Sequence, residues 1–190
     1  MNTEVEEKYQ PSEEQLKLLL EGSDFIGKKV NHDIYYDYPD FRLLKKSIKL
    51  RKRNNSFELK VKNKWRARGE VVDKKEIEAY LNINEDLESF VNNKLEIIGE
   101  FETFRDEYEK DGFIIDVDKT NFDYKMCEIE VMVENEEQSE ETRLKIKEFA
   151  RKYNFEEKKI KSKLAEYLRL FKPEIYREIY ENKLKEVKMK

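Results

Sequence analysis

The chain is short of the residues that most often hold metals or brace small folds. Its 190 residues include one cysteine, Cys127, and one histidine, His32. A single thiol excludes an internal disulfide and a thiolate metal cluster, and a single imidazole excludes a His-rich centre. Oxygen ligands must hold any metal that binds. Three prolines and five glycines form no Pro- or Gly-rich linker. No apolar run approaches the roughly 18 residues of a membrane span, and Met1-Asn2-Thr3-Glu4 lacks the basic and apolar regions of a secretory signal. A cytoplasmic protein with no membrane partner is expected. An excess of one charge is also missing. The 39 Lys and Arg against 43 Asp and Glu leave a net charge of -4, which argues against nucleic-acid binding through a generally positive surface.

What is present is charge, at 43% of residues against 38% hydrophobic, together with 11 Phe, 11 Tyr and one Trp. Near-balance removes most self-repulsion, and the aromatic rings supply mass for a core. The expectation is a folded polyampholyte, one domain over residues 1–190.

Local patterns place the elements. Thr3 to Tyr9 reads as extended. Ser12 with Gln15 three residues on makes a capping box ahead of Leu16, Leu19 and Leu20, predicting a helix that Gly22 ends. Strand is predicted over Phe25–Tyr38, a turn of helix over Asp40–Lys46, and strands over Ser47–Arg53, Phe57–Lys62 and Trp65–Val72, with Asn54-Asn55 as a tight turn. Two helical patches lie within 73–94. Strands return over Leu95–Glu109, Phe113–Asn121 and Cys127–Val133, with Asp111-Gly112 turning between the first two. Helices are predicted over Glu140–Tyr153, Ile160–Phe171 and Pro173–Val187. There is no internal repeat. The sum is an α+β fold around an antiparallel sheet or barrel of about eight strands.

The charged positions on those strands carry the functional signal. Residues i and i+2 of a strand share a face. That rule groups Glu4, Glu6 and Lys8; Lys49, Arg51 and Arg53; Glu58, Lys60 and Lys62; Arg66 and Arg68; Asp116 and Asp118; and Glu128 and Glu130. One reading is a solvated outer face. The other notes that the intervening residues, Leu50, Phe57, Leu59, Ile115, Val117, Ile129 and Val131, are large and apolar. If those pack against helices, the charges line a barrel or groove. Clustered carboxylates suit Mg²⁺ or Mn²⁺, and clustered Arg and Lys suit phosphate oxygens. Together they suit a metal-complexed polyphosphate.

Glu4-x-Glu6-x-Lys8 resembles the ExExK signature of the CYTH superfamily, the triphosphate tunnel metalloenzymes. Tyr35-Tyr36-Asp37-Tyr38-Pro39 looks like its YYDTP-type segment, followed by Leu50-Arg51-Lys52-Arg53 and Phe57-Glu58-Leu59-Lys60. Ile115-Asp116-Val117-Asp118 and Cys127-Glu128-Ile129-Glu130-Val131 resemble its late acidic strands. Phe122-x-Tyr124 and Lys163-Leu164-x-x-Tyr167-Leu168-x-x-Phe171-x-Pro173 are most similar to the thiamine triphosphatase branch. The likeness runs over residues 4 to 180.

This resemblance implies an eight-stranded antiparallel tunnel with helices outside, a helical C-terminal third, and a monomer acting on a small-molecule triphosphate. It further implies that Glu4, Glu6, Asp116, Glu128 and Glu130 hold Mg²⁺, with Mn²⁺ as a substitute, and that Lys8, Arg51, Arg53, Lys60, Arg105 and Lys163 grip the triphosphate. Lys8 and Tyr35 would activate water, Lys8 through a pKa lowered by neighbouring cations. One position departs from the branch: Lys49 stands where vertebrate thiamine triphosphatases carry a stacking Trp, which favours a bare polyphosphate. A class IV adenylyl cyclase and a non-catalytic polyphosphate-binding module are the alternatives. Of the remaining residues, His32 reads as a surface group, Cys127 as an apolar filler beneath a helix, Trp65 as core or substrate contact, and Glu134–Glu141 as solvated.

Overall fold

The computed structural model describes residues 3–61, 69–158 and 160–181. The expected charges Lys62, Arg66 and Arg68, the side chain Trp65 and the end of the last predicted helix lie outside the described residues. The strands are β1 (Thr3–Tyr9), β2 (Asp24–Asp37), β3 (Ile48–Arg53), β4 (Ser56–Val61), β5 (Gly69–Val71), β6 (Glu96–Lys110), β7 (Phe113–Thr120) and β8 (Lys125–Val133). The helices are α1 (Glu13–Leu20), α2 (Arg42–Lys45), α3 (Lys74–Leu81), α4 (Leu87–Lys94), α5 (Ser139–Arg151), α6 (Lys163–Phe171) and α7 (Pro173–Tyr176). The class is α+β with antiparallel strand pairing. Among the described residues no helix is long and apolar enough to cross a membrane.

Short-range chemistry accounts for most boundaries. The Ser12–Gln15 capping box starts α1, and the Asp73, Asp86 and Ser162 side chains cap α3, α4 and α6. Asn54 and Asn55 both take positive φ (45° and 75°), as do Asp111 and Gly112 (54° and 80°). These are the left-handed pairs that tight hairpins require. The predicted helix over Ile160–Phe171 begins later, at Lys163, because Ser162 serves as its cap. The helix opening at Pro173 is α-helical through Tyr176. It passes after Tyr176 into a π-helical turn over Arg177–Glu181.

The described residues fall into two compact units: 3–31, 69, 102–158 and 160 in the first, and 32–61, 70–101 and 161–181 in the second. In the first, β1 pairs with β8 and β8 with β7, and β7 pairs with the later half of β6. Its core joins Val5, Ile115, Cys127 and Ile129 from the strands to Leu19 of α1 and Ile146, Phe149 and Ala150 of α5. In the second, β2 pairs with β3 and β3 with β4. There Leu50, Phe57 and Leu59 pack on Ile77 of α3 and Leu87, Phe90 and Val91 of α4. Each such apolar side chain, taken out of water, contributes roughly 1.5–3 kcal/mol. Because strand side chains alternate, the charged residues between them face away from the helices in both units.

Candidate functional site

Among the described residues the alternating charges are not a solvated face. In the first unit Asp116 and Asp118 are buried, Glu128 is 6% exposed, and Glu4, Glu6, Lys8 and Glu130 are half-buried. The β1/β8 register sets Glu6 directly opposite Glu130 and Lys8 opposite Glu128. Like charges facing each other across strands destabilise a sheet. Glu4, Glu6 and Glu130 nonetheless each offer a carboxylate oxygen within 4.8 Å of the others. Burial, then Glu4 and Asp116, push Glu130 up to about 8. A divalent cation would relieve that repulsion. Oxygens about 2.1 Å from an octahedral ion sit about 3–4 Å apart, so carboxylates gathered within 4.8 Å of one another form a candidate oxygen-ligand set for a hard dication once drawn in, with water completing the shell.

Around that triad the remaining carboxylates secure two cations. Lys8 Nζ donates to Glu6 Oε2 at 3.0 Å and to Glu128 Oε1 at shorter range. Arg105 donates from Nε and Nη2 to both Asp118 oxygens, each at 2.7 Å, and from Nη2 to Glu128 Oε2 at 2.7 Å. Asp116 Oδ2 touches Arg105 Nη1, yet neither Asp116 oxygen has a well-directed hydrogen bond. Burial, together with Asp118 and Glu128, outweighs Arg105 and lifts Asp116 to about 7. The expectation that neighbouring cations lower the pKa of Lys8 is corrected here. Burial disfavours its charge, but Glu128 and Glu6 outweigh burial and hold its pKa above the ordinary lysine value. Its neighbours are carboxylates rather than other cations.

The second unit holds the opposite excess. Arg53 forms a fork with Asp33, Nε to Oδ1 and Nη2 to Oδ2, each at 2.7 Å. Arg51, 5% exposed, donates from Nε to Glu58 at 2.5 Å and from Nη1 to the Tyr35 hydroxyl at 3.2 Å, and its Nη1 lies 3.7 Å from Asp33. Burial would raise Asp33, but Arg53, Arg51 and Lys163 together draw its pKa down. Tyr35 is buried and stacks on Phe101 with ring centroids 5.6 Å apart. Lys49 faces Lys60 directly across the β3/β4 ladder, a like-charge pair of the other sign. Lys49 Nζ donates to Ser162 Oγ at 3.2 Å, and Lys163 opens α6 beside it. The named groups are five cations and two carboxylates, a set suited to phosphate oxygens.

The sequence-expected residues thus gather as two sets, Glu4, Glu6, Lys8, Arg105, Asp116, Glu128 and Glu130 in the first unit, and Tyr35, Arg51, Arg53, Lys60 and Lys163 in the second. Asp33 was missed. It lies two residues before Tyr35 and therefore on the same strand face, a parity signal like the one that found Arg51. Cys127 is buried in the first unit's core, and His32, half-exposed, bonds Glu100 at 2.9 Å, both as expected.

No match is found among curated proteins. Solved structures supply several likenesses. The PH1819 protein of Pyrococcus horikoshii OT3 is 23% identical with a TM-score of 0.61, covering 89% of this chain and 99% of that one. A proposed adenylate cyclase of Vibrio parahaemolyticus is 17% identical at a TM-score of 0.58, covering 85% and 95%. HpAC1 of Hippeastrum, proposed as an adenylyl cyclase and described as having a dominant triphosphatase activity, is 16% identical at a TM-score of 0.54, covering 88% and 95%. At these identities the likeness concerns the fold. The sequence itself matches the CYTH domain over residues 2–165, most of its length and a range that contains every residue of the two charged sets. On that match the chain belongs to the CYTH family.

Proposed function

We propose that this chain is a Mg²⁺-dependent triphosphatase that removes the terminal phosphate of inorganic tripolyphosphate or thiamine triphosphate. The observation that carries the reading is the pair of like-charged cross-strand contacts, Glu6 with Glu130 and Lys49 with Lys60. The first calls for a cation and the second for an anion, and a metal-complexed triphosphate supplies both. Glu4, Glu6 and Glu130 would hold the ion, with Asp116 and Glu128 behind them. Bound there, Mg²⁺ would draw charge from the phosphate oxygens.

Arg51, Arg53, Arg105, Lys60 and Lys163 are assigned to the phosphate chain, which they orient and neutralise as charge moves onto the leaving oxygen. Water oxygen bonds to the terminal phosphorus, and the anhydride bond breaks with its electron pair on the leaving diphosphate. The proton lost by the water leaves with the products. Tyr35 is assigned to orienting that water. Lys8, held charged by Glu6 and Glu128, acts as a donor rather than a base. Lys49, a point charge that cannot stack on a ring, favours tripolyphosphate over thiamine triphosphate. The reading includes one CYTH domain over residues 1–190, a tunnel of eight strands, a monomer and a cytoplasmic setting.

Phosphate release from tripolyphosphate, thiamine triphosphate and ATP, each with Mg²⁺ and with chelator, tests the proposal. Release from tripolyphosphate that stops on chelation is the expected result. No release from any of the three would falsify it, and cyclic AMP formed from ATP would favour the cyclase instead.

A further inference from the structure

Three polar contacts meet at the hydroxyl of Ser162. Its Oγ accepts from Ala165 N at 3.3 Å as the cap of α6, and it accepts from Lys49 Nζ at 3.2 Å. The Tyr180 hydroxyl is hydrogen-bonded to the same side chain. A serine oxygen has two lone pairs and one proton, whereas backbone N–H and the lysine ammonium can only donate. Both lone pairs are therefore taken. The Ser162 proton goes to Tyr180, and the proton of Tyr180 itself remains for a third group. Burial, then Tyr35 and Tyr176, push Tyr180 up to about 12, so it keeps that proton at neutral pH.

The backbone places Tyr180 deliberately. The π-helical turn over Arg177–Glu181 carries it, and such widened turns recur at functional positions. Tyr176 supports its ring at a centroid distance of 5.3 Å. Lys49, the other partner of Ser162, ends the row Arg53, Arg51, Lys49 on one face of β3, about 6.7 Å beyond Arg51. Opposite it stands Lys60. This end of the row offers an ammonium and a phenol, both donors.

We propose that Tyr180 is a specificity-determining residue whose hydroxyl, oriented by Ser162, donates to an anionic oxygen of a phosphate held at Lys49. The inference rests on the triphosphatase reading and extends it. An unesterified end phosphate presents one more anionic oxygen than an esterified one, so Tyr180 and Lys49 together select a chain whose end carries no organic group.

The test compares the wild type with Tyr180→Phe in kcat and KM for tripolyphosphate and thiamine triphosphate, with tripolyphosphate affinity measured by calorimetry. The substitution keeps the ring and its packing on Tyr176. KM and Kd for tripolyphosphate are expected to rise about tenfold, the scale of a hydrogen bond to a charged group, with kcat and melting temperature unchanged and thiamine triphosphate affected less than about twofold. Equal effects on both substrates, or none, overturn the inference. In a Lys49→Met background the Tyr180→Phe effect is expected to vanish, and a full additional effect there also overturns it. If the wild type binds tripolyphosphate without cleaving it, the triphosphatase reading fails while calorimetry on Tyr180→Phe still decides the role of Tyr180. If the wild type does not bind it, both fail.

Discussion

The two units use the same strand grammar for opposite ends. In the first, β1, β7 and β8 present six carboxylates, Glu4, Glu6, Asp116, Asp118, Glu128 and Glu130, around Lys8 and Arg105. In the second, β3 and β4 with α6 present five cations, Lys49, Arg51, Arg53, Lys60 and Lys163, braced by Asp33 and Glu58. The minority charges do the same work in each: they fix the majority groups in place through short, directed bonds. The near-zero net charge of the whole chain conceals this separation. On the proposed reading, the sign of the like-charged cross-strand pair, not total charge, marks what each set would receive.

The comparison breaks most sharply at the acidic triad. Glu4→Gln combined with Glu130→Gln is expected to lower Mg²⁺-dependent phosphate release by about three orders of magnitude, since a bound dication supplies several kcal/mol of transition-state stabilisation. Tripolyphosphate affinity without metal should stay within about threefold or improve. Steady-state assays and calorimetry measure the two, and equal losses in both would erase the division of labour.

Asp33→Asn probes the other side. Removing one partner of a buried ion pair typically costs about 3–5 kcal/mol, and Asp33 is fully buried between Arg53 and Arg51. Denaturant unfolding should show a loss of about 3 kcal/mol. Added tripolyphosphate, which replaces the missing charge, should recover more stability in this variant than in the wild type. An equal gain in both would mean that Asp33 does not stand in for a ligand anion.

The pH response sharpens the contrast further. The folded chain holds Glu130 at about 8 against an ordinary value of 4.5, so between those values the folded state keeps a proton that the unfolded state has lost. Its contribution to metal-free stability is greatest at the acid end and disappears as pH rises through about 8. Asp33 works the other way, its lowered pKa adding stability that is lost only on acidification. The melting temperature of Glu130→Gln in chelator should therefore fall less than that of the wild type between about pH 5 and 8. Mg²⁺ binding by the wild type near neutrality should release protons. Parallel melting curves for variant and wild type would remove Glu130 from the acidic set.

The smallest effect concerns α6. A Cβ at Gly99 would lie 3.0 Å from Leu164 Cδ1 and 3.3 Å from Tyr167 Cδ1. Gly99→Ala should cost about 1–2 kcal/mol through overpacking and raise KM for tripolyphosphate by shifting Ser162 and Lys163. Mg²⁺ affinity at the acidic triad should be unaffected.

Much of this was legible in the sequence because strand parity is rigid. Once Leu50, Leu59, Ile115 and Ile129 are placed against helices, Arg51, Lys60, Asp116 and Glu128 must face the other way, and the hairpin turns at Asn54-Asn55 and Asp111-Gly112 fix the registers. Which charge meets which was not legible. The ExExK spacing predicts a lowered-pKa Lys8 because it says nothing of Glu128, 120 residues away in sequence yet hydrogen-bonded to Lys8 in the fold. Asp33 escaped notice because a buried acid has no signature of its own until Arg53 is found beside it. Ser162 and Tyr180 meet only through the packing of α6 and the π-helical turn, which no local pattern announces.

The central claim is that Glu4, Glu6 and Glu130 hold a metal while Arg51, Arg53, Lys60 and Lys163 hold phosphate. A crystal grown with tripolyphosphate and Mn²⁺, recorded for anomalous scattering, tests it most directly. The account predicts an anomalous peak coordinated by Glu4, Glu6 and Glu130, with phosphate oxygens bonded to Arg51 and Arg53. Mn²⁺ bound elsewhere, or phosphate density away from both arginines, would contradict it.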